Sequence, residues 1–475
     1  MNDPNGLVYY DGEYHLFYQY CPEMSPGTMH WGHAVSPDLV HWQHLPPALY
    51  PDRAPSGDRL LGNWSGSAVV DWKNSAGFQI GDMAAMVAAF TQVNGEGTQQ
   101  QSVACSNDRG RTWAMYAGNP VVPNPGLRDF RDPRVFWHGA SQRWVMVVAA
   151  GDRVHLYTSL NLTEWTFASE FGTTAGSHRG VWECPDLFEL PVDGDPGNRR
   201  WVLLVSVARQ SNLDDPGTQY LVGDFDGTTF ACDPAAAPGW LDGGRDNYAG
   251  ITFSDIPPQD GRRILIGWMG NWWYASETPT SPWRGAMTVP RELALRRTPS
   301  GELRLSSLPV AELRTLRGQG YRIADTPVSG SLAAGPIANG ACEVCLEWEP
   351  GTASEFGVAI QNGCGERTVV GYEVAAQTLF VDRQNSGLTD FGRFYEGRRY
   401  FADRRQSVGL PSESNAVRLD LFVDWSSIEV FANEGHAVIS DLIFPRDRND
   451  RLALYARGGS ARLIQCQVWE MASVW

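Results

Sequence analysis

Three features of the chain predict an all-β fold, a five-bladed β-propeller followed by a C-terminal β-sandwich. The first is composition. With 19 Trp, 16 Tyr, 19 Phe, 50 Gly and 30 Pro, the chain is rich in strand-forming aromatics and in turn residues. The second is a succession of hairpin signals with almost no helical periodicity between them. The third is a repeat: strands that open on a polar or acidic residue recur at Asp3, Trp64-Ser65, Asp132, Glu183 and Tyr248, at intervals of 61, 68, 51 and 65 residues. Each interval suits one four-stranded blade with its loops.

The hairpins come first in the chain. Leu7–Tyr10 and Tyr14–Tyr18 flank Asp11-Gly12, and an Asp-Gly pair between aromatic, β-branched runs is a strong turn signal. Val135–Trp137 with Trp144–Val148, Leu187–Leu190 with Trp201–Val205, and Ile251–Phe253 with Ile264–Ile266 repeat the pattern. Ser36-Pro-Asp38 through Trp42, Ser106-Asn-Asp108 through Trp113, and Ser159-Leu-Asn161 through Trp165 predict a recurrent turn. In it, short polar side chains bond the backbone while an indole packs inward. Ala311–Leu316, just after Pro309, reads as a short capped helix. Beyond it, alternation returns at Leu419, Leu421 and Val423, then at Ile428–Phe431. Leu452–Trp469 reads as two strands around Gly458-Gly459. The expected division is a propeller over 1–295, a linker with a short helix over 296–324, and a β-sandwich over 325–475.

Composition also bounds function. A hydrophobic fraction of 43% with 19% charged residues is that of a globular protein. The net charge of −16 repels nucleic acid, anionic lipid and acidic polysaccharides, which leaves neutral partners favoured. The longest apolar run, Met83–Phe90, falls far short of the ~20 residues of a membrane span. No charged-then-apolar leader opens the sequence, so a secretion signal is expected to have been removed or never to have existed. The eight cysteines are scattered. Cys342 and Cys345 form a CxxC without a second pair, and His41 and His44 sit near a strand end, so no metal is expected.

Three of the five strand starts carry a carboxylate near a proline: Asn2-Asp3-Pro4, Arg131-Asp132-Pro133 and Glu183-Cys184-Pro185. The first strand of each blade lines the propeller's channel, so equivalent positions on different blades converge at one end of it. Converging carboxylates repel, which raises at least one pKa while a partnered group stays ionised. That division of roles is what a retaining glycosidase requires. The plainer alternative is that Asp-Pro and Glu-x-Pro merely start turns.

The motifs NDPNG (2–6), YQYCP (18–22), WGHAVSPDLVHW (31–42), WSGSAV (64–69), FRDPRVFW (130–137) and ECPDLFEL (183–190) resemble the five-bladed β-fructosidase family of invertases, inulinases and levanases. GTQYLVGDFDG (217–227), NYAGITFSD (247–255), the run 267–293 and LDLFVDWSSIEVFANEG (419–435) extend the resemblance over nearly the whole chain. It implies a propeller-plus-sandwich fold, a fructose-bearing substrate and no cofactor. It implies Asp3 as nucleophile, Glu183 as general acid/base and Asp132 as transition-state stabiliser. Asn2, Gln19, Trp64, Ser65, Arg131, Asp246 and Trp272 match the fructose pocket, although blade packing accounts for Trp64 and Trp272 equally well. Cys184 is read as packing. The departures are Cys21 in place of Asn, Trp64 in place of Phe, and Ser25-Pro26-Gly27 in place of a Trp-Gly pair. They bear on the sugar beyond the fructose. Because the motif opens the chain, Asp3 is expected to need either an upstream segment or the second domain to hold it.

The reading is a retaining β-fructosidase that hydrolyses terminal fructosyl units of levan, inulin or sucrose, with a fructosyltransferase of the same fold as alternative. Its partner is a neutral fructose-containing oligo- or polysaccharide, without nucleic acid or membrane. The location is secreted for a fructanase, and cytoplasmic for a sucrose or oligosaccharide hydrolase. A sialidase is the distant alternative, since Ser106–Trp113 is similar to the turns of that group. A non-catalytic sugar-binding propeller is another.

Overall fold

Asp11 and Gly12 both adopt left-handed backbone, φ 49° and 86°, the geometry a two-residue type I′ hairpin needs to match the twist of its strands. The pairing Tyr9–Tyr14 follows on either side. Such hairpins build the protein, whose computed structural model describes residues 1–22, 29–51, 62–209, 216–233, 237–298, 300–395, 397–402, 405–411 and 416–474. It divides into two compact units, Met1–Trp240 with Tyr248–Trp268, and Leu241–Asn247 with Met269–Trp475.

In the first unit each blade is an antiparallel meander that starts with an inner strand. These are Pro4–Tyr10, Gly62–Asp71, Phe130–His138 and Gly180–Val192, each followed by three strands in sequence order. The fifth blade begins with Tyr248–Thr252 paired to Arg263–Met269. The four hairpins expected from the sequence all form. Side chains tie neighbouring inner strands together. Ser67 Oγ donates to Pro133 O and accepts from Val135 N, both at 2.9 Å, and Asp186 Oδ2 accepts from the backbone and hydroxyl of Thr252, both at 2.7 Å. The ring closes where Tyr9 N donates to Ser254 O (3.0 Å) and Ser254 N to Leu7 O (2.8 Å).

The recurrent turn forms in all three places. Asp38, Asp108 and Asn161 accept backbone N–H groups that follow them. The indoles of Trp42, Trp113 and Trp165 each donate to the carbonyl three residues back, at 2.9–3.0 Å. Leu39, Arg109 and Leu162 sit at φ 67°, 56° and 63°, a left-handed conformation that costs on the order of 1 kcal/mol and is held by these bonds.

The second unit is a two-sheet sandwich around a core that includes Val344, Trp348, Phe356, Leu421 and Leu454. Leu452–Trp469 departs from expectation. It is a single 21-residue strand, Arg451–Met471, rather than two. Its first half pairs with Glu355–Gln361 and its second half with Cys342–Glu349. Gly458 and Gly459, at φ 67° and 155°, supply the bend, and a Cβ at Gly459 would lie 2.3 Å from Thr352 O. A strand that turns the corner between sheets needs that freedom. Ala311–Leu316 is a 3-10 helix without a side-chain cap. Val310 at its N-cap has no side-chain oxygen to offer.

Candidate active site

Each inner strand breaks register near its start. The breaks fall between Asn5 and Val8, Asn63 and Gly66, Glu183 and Asp186, Tyr248 and Ile251, and opposite Val147–Ala149 for the strand that carries Asp132. Four of the breaks contain a residue with positive φ: Gly6 (53°), Asp132 (64°), Cys184 (46°) and Ala249 (54°). Bulges at this position re-aim the side chains around them. They also correct the expectation that the three carboxylates occupy equivalent positions. Asp132 is itself the left-handed residue, Glu183 precedes one, and Asp3 lies three residues before Gly6. The equivalent positions just before the left-handed residue belong instead to Arg131, Glu183 and Tyr248.

Those three residues bond in a chain. The Arg131 guanidinium donates to Glu183 Oε1 through Nε (3.1 Å) and Nη2 (2.8 Å), and Tyr248 Oη donates to Glu183 Oε2 at 2.5 Å. Arg131 is in turn held by Asp129 (2.7 Å) and Gln99 (3.2 Å). Asp3 accepts from Ser65 Oγ at 2.7 Å and from Asn2 Nδ2 at 3.1 Å. Asp132 takes its position from two backbone bonds: its own N–H donates to Thr91 Oγ1 (2.8 Å), and its Oδ2 accepts from Cys184 N (3.0 Å). The Cys184 thiol joins the two aspartates, 3.7 Å from Asp3 Oδ2 and 3.6 Å from Asp132 Oδ2. Two aspartates from two blades thus flank one buried thiol, and Glu183 precedes that thiol in the chain.

Electrostatics follow from that crowding. Burial raises the pKa of Asp3, and Glu183 adds to the rise, while the bonds from Ser65 and Asn2 oppose it. Asp132 is pushed up to about 7, chiefly by burial, with Arg131 opposing and Glu183 and Asp3 adding. Burial and the surrounding carboxylates drive the Cys184 thiol far above its ordinary range, so it stays protonated as a weak donor.

Asp3 is anchored by backbone bonds to the neighbouring strand. Asn2 N donates to Gln19 O (3.2 Å) and Gln19 N to Asp3 O (3.0 Å), so the neighbouring strand straps the start of the first one. The Gln19 side chain is buried and donates to Asn63 O at 3.1 Å.

The description "Glycosyl hydrolases family 32 N-terminal domain" matches residues 1–306, and "Glycosyl hydrolases family 32 C terminal" matches residues 312–470. The chain belongs to glycosyl hydrolase family 32. A levanase of Bacillus subtilis (strain 168) is 49% identical over the whole of this chain and 69% of its own length. An extracellular exo-inulinase of Aspergillus niger is 37% identical over all of this chain and 93% of its own. Among solved structures, an exo-inulinase from Aspergillus awamori superposes with a TM-score of 0.90 at 36% identity, over 100% of this chain and 96% of that one. A β-fructofuranosidase from Schwanniomyces occidentalis complexed with fructosyl-erythritol gives 0.88 at 27%, over 100% and 95%. The protein is accordingly a family 32 glycoside hydrolase of the β-fructosidase type, and the sialidase reading of Ser106–Trp113 falls. That turn is a structural stitch shared by three blades.

Within this family 32 chain, the residues expected around the sugar divide. Asn2, Ser65 and Arg131 bond directly to Asp3 or Glu183. Trp64 is half-buried and its carbonyl accepts from the Trp31 indole at 2.9 Å. Asp246 is engaged differently. It is fully buried, and its oxygens accept from Tyr274 Oη (2.6 Å), Arg383 Nη1 (2.7 Å) and Leu442 N (2.8 Å), all within the second unit. That is a structural ion pair in place of the expected sugar contact. Trp272 is a half-exposed residue of the second unit. Ser25-Pro26-Gly27 lie outside the described residues. Tyr248, Asp129, Gln99 and Thr91 were not expected in the site. Only Tyr248 carried a signal, as a strand start.

Asp132 yields a stability prediction. A carboxyl with a folded-state pKa of about 7 and an ordinary value of 3.8 binds its proton more tightly in the folded than in the unfolded chain. Its contribution is therefore fully present below pH 3.8 and is lost as pH rises to about 7, an effect of at most about 4 kcal/mol. Asp132→Asn keeps an oxygen for Cys184 N and removes the buried charge. The variant is expected to melt several degrees above the parent at pH 8 and level with it at pH 4, by calorimetry. A variant less stable at pH 8 would contradict the assignment.

Proposed function

We propose that this protein is a retaining β-fructosidase that releases terminal fructosyl units from levan or inulin by way of a fructosyl-enzyme intermediate. The observation that carries the reading is the gathering of Asp3 and Asp132 about the Cys184 thiol beside Glu183, with Glu183 hydrogen-bonded to the Arg131 guanidinium, which also lies 4.0 Å from Asp132. Asp3 attacks the anomeric carbon of fructose as the bond to the leaving oxygen breaks, and Glu183 gives that oxygen its proton. Water then attacks the fructosyl ester, Glu183 takes back a proton, and Asp3 is released as carboxylate. Asp132 accepts hydrogen bonds from fructose hydroxyls and so favours the charge-deficient ring of the transition state. Tyr248 and Arg131 set the orientation of Glu183. The levanase and exo-inulinase names of the relatives support fructan over sucrose, and the word "Extracellular" in the exo-inulinase names supports a secreted enzyme.

The test is product analysis. Incubation with levan, inulin and sucrose is expected to release free fructose, fastest from one of the two fructans, with the β-anomer seen first by NMR before mutarotation. First release of the α-anomer would exclude the retaining route. Fructose appearing only on acceptor sugars would make the protein a transferase.

A further inference from the structure

The inner strands run on past the carboxylates, and their far ends enclose a cavity of about 400 Å3 that the proposed chemistry does not use. From Glu183 to Phe188, a lining residue, five residues at ~3.3 Å each span roughly 16 Å of strand, while Arg134, two residues after Asp132, marks the cavity's near edge. All its lining belongs to the first unit. Part of the wall is aromatic, with Phe136, Phe188, Trp72 and Trp201. The polar part is unusual for a chain with a net charge of −16: Lys73, Arg134, Arg199 and Arg263 line it with two carboxylates, Glu189 and Asp255, and a third, Asp186, pairs with Arg134 outside the lining.

These donors are unevenly matched with acceptors. Lys73 Nζ donates to Gln142 Oε1 at 3.1 Å, and Arg134 Nη2 to Thr252 Oγ1 at 3.4 Å. Arg199 is paired with Glu189 at 2.7 Å, and both Asp255 oxygens are taken, by Val70 N and by the Trp72 indole. Arg263 forms no salt bridge among the described residues. Its guanidinium has one long bond to Phe253 O (3.4 Å) and lies 5.1 Å from the Phe188 ring centroid. Burial pushes its pKa down to about 10, the mark of a cation short of compensation. Arg134, 3% exposed, meets Asp186 at 2.8 Å through Nε, yet its Nη1 makes no hydrogen bond. The buried Ser254 hydroxyl makes none either. Buried donors are normally satisfied, and a group of them around one cavity implies an acceptor that comes from outside.

We propose that this cavity is a second ligand site, for a small organic anion: a carboxylate or phosphate carried on a body about the size of one sugar. Arg263 supplies charge-assisted donors to the anionic oxygens, and Arg134 Nη1 and Ser254, both closed to solvent, join it by side-chain rotation. The aromatic wall covers the body. The volume falls in the range of small-molecule pockets and exceeds what a bare inorganic ion fills.

Isothermal titration of the full chain tests this, with saturating fructose present to occupy the carboxylate site. Fructose 6-phosphate, gluconate and inorganic phosphate are the probes. One equivalent of fructose 6-phosphate or gluconate is expected to bind with a Kd of about 1 mM or tighter, and inorganic phosphate more weakly. Which organic anion binds better identifies the preferred head group. Arg263→Gln should weaken binding about tenfold or more, and Ser254→Ala about threefold. Both variants should keep parental fructan turnover, which also reports that they fold. Absence of heat with every probe would overturn the proposal, as would affinity unchanged by Arg263→Gln or binding abolished by fructose. Neutral fructose filling two sites per chain would overturn the anionic preference, and inorganic phosphate binding as tightly as both organic anions would overturn the sugar-sized body.

Discussion

Asp3→Asn is expected to lower kcat by about 10⁵-fold on levan, inulin and sucrose alike, because no other group is placed to form the covalent intermediate. The substitution is nearly isosteric. Ser65 Oγ, which now donates to Asp3 Oδ2 at 2.7 Å, can donate equally to an amide oxygen, and the backbone strap to Gln19 is untouched. Burial and Glu183 already disfavour the Asp3 charge, so removing it should leave thermal stability equal or higher. Loss of activity without loss of stability is what separates a nucleophile from a structural carboxylate. Single-turnover assays with an aryl β-fructoside should show no burst of aryl alcohol. A burst, or turnover of a few per cent of the parental rate, would remove Asp3 from the reaction.

Much of the fold was legible because its signals are local. Asp11-Gly12 demands a hairpin through backbone conformation alone, and the Ser/Asp/Trp turns carry their own hydrogen-bond partners within eight residues. The repeat of strand starts then sufficed to count blades. Gly458-Gly459 misled for the opposite reason. Two glycines read as a turn between strands, but paired partners 90 to 128 residues upstream hold the chain extended on either side of the bend.

The candidate site was legible in its residue types and less so in its geometry. Acid-proline starts picked out Asp3, Asp132 and Glu183, yet the left-handed backbone there is not announced by residue type: Asp is only enriched in that region and Cys184 belongs to a type that usually avoids it. Those bulges decide which neighbours meet, and so they bring Tyr248 to Glu183. Asp246 shows the converse. A motif match put it beside the sugar, whereas its acceptors are filled by Tyr274 and by Arg383, which lies 137 residues away in sequence. No pattern near position 246 announces that pairing.

Glu183→Ala should separate the two chemical steps. Natural fructosides have alkoxide leaving groups that need a proton, so their turnover is expected to fall about 10³-fold or more. An aryl β-fructoside needs less help, and its first step should persist in this variant but not in Asp3→Asn. The site should survive the truncation, because Arg131 keeps Asp129 and Gln99 as partners, and Tyr248 is held by its strand. The second step then stalls, because water has lost its base while the Asp3 ester remains. Azide needs no deprotonation. It should enter at that stage and restore aryl release, giving a fructosyl azide of the same anomeric configuration as the substrate. Truncation also frees Arg131 from the two bonds it donates to Glu183 Oε1. Azide rescue of an Asp3 variant with the substrate's own anomeric configuration retained would instead mean that Glu183 is the nucleophile and Asp3 its acid.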